Sequence, residues 1–113
     1  MILEKTKLQG LQSELKYMDE ITSGLGFVRG QWEYYRATYD FRIQDQKNDV
    51  YFLRVNCRVI DGKMESPYAV LTPEDIYIGI ESFPHGLDYS VEIPNSVLKI
   101  ANDKMSELEK LLS

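Results

Sequence analysis

Residues 31–60 read QWEYYRATYDFRIQDQKNDVYFLRVNCRVI, and their reading decides the fold. Tyr35, Ala37, Tyr39, Phe41 and Ile43 alternate with Tyr34, Arg36, Thr38, Asp40 and Arg42. Further on, Tyr51, Leu53, Val55, Cys57 and Val59 alternate with Phe52, Arg54, Asn56, Arg58 and Ile60. A period of two marks a strand with one buried face. The segment between the two runs, Gln44 to Asp49, is polar and rich in turn-favouring residues. The pattern predicts two long antiparallel strands joined by that loop.

Burial fixes their register, because a slip of one residue turns a whole apolar set to the wrong face. The register that joins the two sets places Phe41 opposite Leu53, Tyr39 opposite Val55 and Ala37 opposite Cys57. On the other face it sets Asp40 against Arg54 and Thr38 against Asn56, which suit each other. It also sets Arg36 against Arg58, and like charges directly opposite repel. A third charge or a bound anion would relieve that pair, or the two side chains splay into water.

The rest of the chain is read outward from this hairpin. Residues 2–7 suit a short strand. Leu8, Leu11, Leu15, Met18, Ile21 and Leu25 recur at three and four, the stripe of an amphipathic helix. The spacing predicts a helix over 14–23, with Ser13 as N-cap and Gly24 as its stop. Gly24, Gly26 and Gly30 lie between a helix and a strand, the reverse of the order a phosphate-binding loop requires, so they read as turn positions.

After the hairpin, Asp61-Gly62 signals a two-residue turn. It predicts a third strand with Met64 opposite Val59, Tyr68 opposite Val55, Val70 opposite Leu53, and Glu65 beside Arg58. Pro67 implies an edge or a bulge nearby. Thr72-Pro73-Glu74-Asp75 reads as a further turn, and Ile76, Ile78 and Ile80 as a fourth strand. Those isoleucines fall on the wrong parity for a plain meander, which calls for a bulge near Pro67 or another loop length. Residues 82–90 read as a surface loop, and Pro94 opens a closing helix over 95–112 with Leu98, Ala101, Met105, Leu108 and Leu112 as its stripe. The expected architecture is α+β: a two-layer sandwich of a four-stranded antiparallel meander, with an N-terminal and a C-terminal helix on one face.

Composition sets the remaining bounds. A chain of 113 residues, 43% hydrophobic and 27% charged, suits a single globular domain spanning residues 1–113. A formal net charge of −5 disfavours nucleic acid, whose binding relies on basic side chains. One cysteine, Cys57, excludes an internal disulfide, and one histidine beside it leaves no ordinary zinc site. No signal peptide or membrane span is visible, so the expectation is a cytoplasmic protein without metal or cofactor.

Three groups carry candidate chemistry. His85 sits in a Pro84-His85-Gly86 loop and could act as a general base, but no nucleophile partners it in a known motif. Glu74, Asp75, Glu81 and Asp88 lack the spacing of a calcium loop and read as solvated surface. The outer face of the sheet mixes aromatic residues with arginine, the types enriched in binding hot spots. Its expected partner-binding residues are Trp32, Tyr34, Arg36, Arg54 and Arg58, and the simplest partner is a second copy in a homodimer or another protein. The reading is a non-catalytic interaction module. The rival reading is a small-molecule-binding protein or hydrolase using the His85 loop with Tyr89 and nearby carboxylates.

The run from Gly24 to Tyr34, GLGFVRGQWEY, resembles the glycine–tryptophan motif of the YugN-like family of small bacterial proteins. Tyr51 to Val55, the Ile60-Asp61-Gly62 turn, the Gly86-Leu87-Asp88 loop and the helix after Pro94 resemble it as well. Gln31 stands where the family has its second glycine before the tryptophan. The resemblance implies a small cytosolic α+β protein and supplies no catalytic residues.

Overall fold

A computed structural model describes residues 1–3, 6–82 and 86–113, and of Gln31 and Trp32 the backbone alone. The elements in chain order are β1 (Ile2–Leu3), β2 (Ser13–Glu14), α1 (Leu15–Leu25), β3 (Val28–Glu33), β4 (Arg36–Gln44), β5 (Val50–Asp61), β6 (Val70–Ser82), β7 (Gly86–Asp88) and α2 (Asn95–Leu112). All described strand pairings are antiparallel. The long path runs β6-β5-β4-β3, and the short strands β2, β1 and β7 pair with β6.

The β4–β5 hairpin has the register that its sequence pattern requires. Phe41 pairs with Leu53, Tyr39 with Val55, Ala37 with Cys57, Asp40 with Arg54 and Arg36 with Arg58. The odd-numbered residues Ala37, Tyr39, Ile43, Leu53, Val55 and Cys57 are buried. They share one core cluster with Leu15 and Met18 of α1 and with Val97, Ala101, Met105 and Leu108 of α2. Burying a side chain of this size contributes roughly 1.5–3 kcal/mol, which makes the odd face costly to expose.

The four-stranded meander is corrected to a sheet of seven strands. Two changes account for the long strands. The chain before Arg36 is not an extension of β4: it turns at Tyr34-Tyr35 and runs back as β3, pairing Glu33 with Arg36 and Val28 with Asp40. The expected third and fourth strands are one strand, β6. Leu53 pairs with Ile78, not Val70, and Val59 pairs with Leu71, not Met64. The register shifts between Val55 and Cys57, which leaves Glu74 and Asp75 opposite Asn56. That bulge reverses parity within β6, so Leu71 and Pro73 are buried before it and Ile76 and Ile78 after it. Thr72-Pro73-Glu74-Asp75 is therefore a bulged strand and not a turn, a site where proline's missing N–H is tolerated.

The loop from 62 to 69 is longer than a two-residue turn because its atoms serve other elements. Met64 N–H donates to the Tyr34 carbonyl at 2.9 Å and pins the β3–β4 turn. The carbonyls of Ala69 and Pro67 accept the N–H groups of Leu15 at 2.7 Å and Lys16 at 2.9 Å. Those are first-turn donors of α1 that a cap side chain would otherwise satisfy. The helix accordingly starts at Leu15 without a capping side chain, and Ser13 lies in β2 rather than at the cap. It runs through Gly24 to Leu25, and Gly26 takes the left-handed cap at φ 95°. Glycine is favoured there because other residues strain at positive φ. Among the described residues, no helix is long and apolar enough to cross a membrane.

Candidate functional site

Even-numbered residues of β4 and β5 form the outer face of the sheet. Thr38 donates from its hydroxyl to the Asn56 Oδ1 at 3.0 Å in the middle of that face. To one side lies a closed cluster. Arg54 donates from Nε to Asp40 Oδ1 at 2.9 Å and from Nη2 to Asp40 Oδ2 at 3.0 Å. Its Nη1 donates to the Tyr89 hydroxyl at 2.9 Å. The two side chains are only 30% and 19% exposed. The hydrogen bond to Asp40 holds the Arg54 guanidinium more firmly protonated than usual, against the cost of burial.

Tyr89 reaches Arg54 by crossing the outer face above β6. Its ring centroid is 4.8 Å from that of Tyr77, and a Cβ placed on Gly79 would stand 2.9 Å from the Tyr89 Cδ1. Gly79 thus leaves the space that the tyrosine ring fills. Burial raises the Tyr77 phenol above its ordinary range, and the nearby Asp75 carboxylate acts in the same direction. The expectation of an uncovered face is corrected on this side, where the segment after β7 lies on it.

At the other end the face is open. Arg36 and Arg58 are direct cross-strand partners. Glu74 enters from the β6 bulge, with Oε2 3.2 Å from Arg36 Nη1 and Oε1 3.6 Å from Arg58 Nε. The three side chains are 57%, 50% and 36% exposed, in the order Arg36, Arg58, Glu74. Glu65, the carboxylate expected beside Arg58, is instead exposed on the 62–69 loop, because Thr72 holds the position opposite Arg58. Ile60, two residues beyond Arg58, is exposed, and so are Tyr34 and Tyr35 of the adjoining turn. The Lys63 Nζ sits 5.9 Å from the Tyr34 ring centroid.

The five residues expected to bind a partner are therefore distributed. Arg36 and Arg58 come together through Glu74, while Arg54 is engaged by Asp40 about 13 Å further along β5 at the usual strand rise. Tyr34 belongs to the β3–β4 turn and not to a strand face. The Trp32 backbone pairs with Ala37, and its side chain lies outside the described residues. His85 and Pro84 also lie outside them, while Tyr89, named beside His85 in the rival reading, accepts from Arg54.

One further polar group was not legible in the sequence. Asp19 of α1 accepts the Tyr39 hydroxyl at Oδ1, 2.8 Å, and Arg29 Nη1 at Oδ2, 3.0 Å. Burial first, and then Asp19, push the Tyr39 phenol far up. This satisfies the hydroxyl of a core tyrosine while tying α1 to β3 and β4. The i+3 and i+4 stripe of the helix gives no sign of it.

A large antiparallel sheet with two helices defines an α+β protein. The chain belongs to the YugN-like family, which it matches over residues 4–112. It is 28% identical over 108 residues to the uncharacterized protein YlbA of Bacillus subtilis strain 168, covering 93% of this chain and 89% of that one. It also resembles the crystal structure of the uncharacterized conserved protein YugN from Geobacillus kaustophilus HTA426. That likeness has a TM-score of 0.83 and 30% identity, covering 99% of this chain and 94% of the other.

Proposed function

We propose that this protein is a cytoplasmic, non-catalytic interaction module, a single α+β domain that self-associates or binds a partner protein through the outer face of its sheet. Trp32, Tyr34, Arg36, Arg54 and Arg58 are the residues assigned to that contact. The observation that carries the reading is the open end of the face, where two half-exposed arginines share one carboxylate, Ile60 two residues beyond Arg58 is exposed, and the exposed Tyr34-Tyr35 turn precedes Arg36. Arginine next to exposed aromatic and aliphatic surface is the composition of a binding hot spot.

Sedimentation over a wide concentration range tests the reading. A dimer that the Trp32→Ala, Arg36→Glu double variant converts to a folded monomer supports self-association through this face. A dimer that the variant leaves intact moves the interface elsewhere. A wild type that stays monomeric removes the homodimer and leaves the partner protein.

A further inference from the structure

We propose that the free edge of β3, with the crevice between β3 and α1, docks an extended segment of a partner protein. The segment adds as a short antiparallel strand and carries a basic residue two positions before an apolar one. This site is separate from the outer face of the sheet and does not rest on that reading.

The fold treats the two edges of its sheet differently. The β6 edge is tiled by short strands of the chain itself: β2 pairs at Val70 and Leu71, β1 at Ile76 and Tyr77, and β7 from Ile80 to Ser82. The opposite edge is β3, which among the described residues pairs with β4 alone. A bare edge offers unpaired N–H and C=O groups to any chain that can lie beside it. The bulge between Arg29 and Trp32 breaks that edge, so it suits a few added residues rather than a long ladder. Val28, Arg29 and Gly30 are exposed there, Val28 to 69%.

Room for side chains lies beside the edge. Arg29 reaches from β3 to Asp19 of α1, Nη1 to Oδ2 at 3.0 Å, and a cleft opens on each side of that bridge. One, of about 390 Å³, is lined by Thr22, Ser23, Phe27, Val28 and Tyr39. The other, of about 420 Å³, is lined by Leu15, Lys16, Glu20, Met64, Glu65 and Pro67. The first uses α1 residues from Asp19 to Ser23 and the second from Leu15 to Glu20, an offset of about four residues. Four helical residues rise roughly 6 Å. Two strand residues span roughly 6.6 Å and return the side chain to the same face. The clefts are therefore spaced for side chains i and i+2 of one added strand, whose main chain bonds the edge while alternate side chains fill pockets.

The lining sets the occupant. In the first cleft Phe27 and Tyr39 are buried, and the Tyr39 hydroxyl already donates to Asp19 at 2.8 Å, so an apolar side chain fits. In the second, Glu20 and Glu65 are exposed alongside Lys16, while Arg29 is engaged by Asp19. Exposed Glu14 precedes Leu15, and the Lys63 Nζ beside Met64 is 5.9 Å from the Tyr34 ring centroid. Glu14, Glu20 and Glu65 thus exceed Lys16 and Lys63, on a chain of net charge −5. A lysine or arginine suits this cleft. β3 leads from the first cleft towards the second, where Met64 N–H donates to the Tyr34 carbonyl just after the strand. An antiparallel segment therefore places its basic residue first, and antiparallel pairing is the slightly stronger kind. A second copy is disfavoured, because a two-fold pairing of the edges would set bulge against bulge and bring two acidic chains together.

The test is a titration of the 15N-labelled full chain with the peptide Ac-Thr-Lys-Thr-Val-Thr-NH2, beside the same peptide with glutamate in place of lysine. The lysine peptide should move the Val28, Arg29 and Gly30 amide signals and slow exchange of the β3 amides that point away from β4. The glutamate peptide should bind several-fold more weakly. Glu20→Lys with Glu65→Lys should reverse that preference, and Glu20→Gln with Glu65→Gln should remove it. Arg36→Glu, on the outer face, should leave the titration unchanged.

Signals that stay still up to millimolar peptide, or that move on the outer face instead, would overturn the proposal. So would equal binding of the two peptides, or a preference that the charge reversal leaves intact. Slowed exchange of the same amides that grows with protein concentration, without peptide, would overturn it in favour of a second copy.

Discussion

Arg36 and Arg58 face each other across β4 and β5, and Glu74 joins them from β6. Removing that carboxylate leaves two like charges in direct opposition. Glu74→Gln should therefore destabilise the fold, but by less than about 1 kcal/mol, since all three groups are more than a third exposed and solvent screens them. The loss should be larger at low salt and should shrink when Arg58→Gln is added. Urea midpoints of the two variants in low and high salt measure this. Equal stability of the single and double variants would show that the arginines do not repel appreciably.

Gly79 is packed under Tyr89. A methyl group there would stand 2.9 Å from the Tyr89 Cδ1 and 3.0 Å from the Asp88 carbonyl oxygen. The ring can swing away, but it then leaves Arg54 and Tyr77; the backbone carbonyl can only shift with its strand. Gly79→Ala should cost about 1–3 kcal/mol, the usual range for forcing extra volume into a packed site. Adding Tyr89→Ala should recover only part of that loss, because the clash with Asp88 remains. Thermal unfolding of Gly79→Ala, Tyr89→Ala and the double variant decides it, and a glycine substitution that costs nothing in the Tyr89→Ala background would mean the carbonyl contact is harmless.

Cys57 is buried in the hairpin core, and burial pushes its thiol from an ordinary 9.0 to about 12. The neutral thiol is the form the native state prefers. The contribution is therefore fully present below pH 9.0 and is lost as pH rises towards 12, because the unfolded chain ionises first. The expected slope from this group is a fall of about 1.4 kcal/mol per pH unit within that window. Tyr39, also raised by burial, steepens the fall at the alkaline end. Urea unfolding at several pH values should show the slope, and Cys57→Ala should reduce it. The native thiol should also resist alkylation until the chain unfolds, and rapid native labelling would contradict its burial.

The continuity of β6 can be tested directly. Cross-strand contacts in NMR spectra should join Leu53 with Ile78 and Val59 with Leu71. Contacts between Leu53 and Val70 would instead indicate a two-residue hairpin at Gly62. Leu53 and Ile78 are both fully buried, so Leu53→Ala should cost about 2–5 kcal/mol.

Much of this fold is local and was legible in the sequence. The β4–β5 register follows from two alternating runs and their charge pairs, because adjacent strands of one hairpin must agree on a single buried face. The closing helix follows from Pro94 and an apolar stripe, both contained within about five turns of chain. The conflict of the facing arginines was also visible, as was the parity mismatch that called for a bulge near Pro67 or another loop length; the bulge lies instead at Glu74-Asp75.

The sequence by itself posed two conflicts, a parity mismatch after the hairpin and a pair of facing arginines; only the tertiary structure decided that a bulge resolves the first and a carboxylate the second, and where each lies. Asp61-Gly62 and Thr72-Pro73 carry turn chemistry, yet the 62–69 loop is set by the distant backbone groups it serves at Leu15, Lys16 and Tyr34. Pro73 lies beside a bulge because β5 lines the strand and fixes the parity on both sides of it. The counter-charge is Glu74 and not Glu65, a consequence of that bulge, and it meets Arg36 across 38 residues of chain. Hydrophobic periodicity and turn propensity are properties of neighbours in sequence. Helix capping by loop carbonyls, strand bulges and bridging carboxylates are satisfied between groups that only folding brings together.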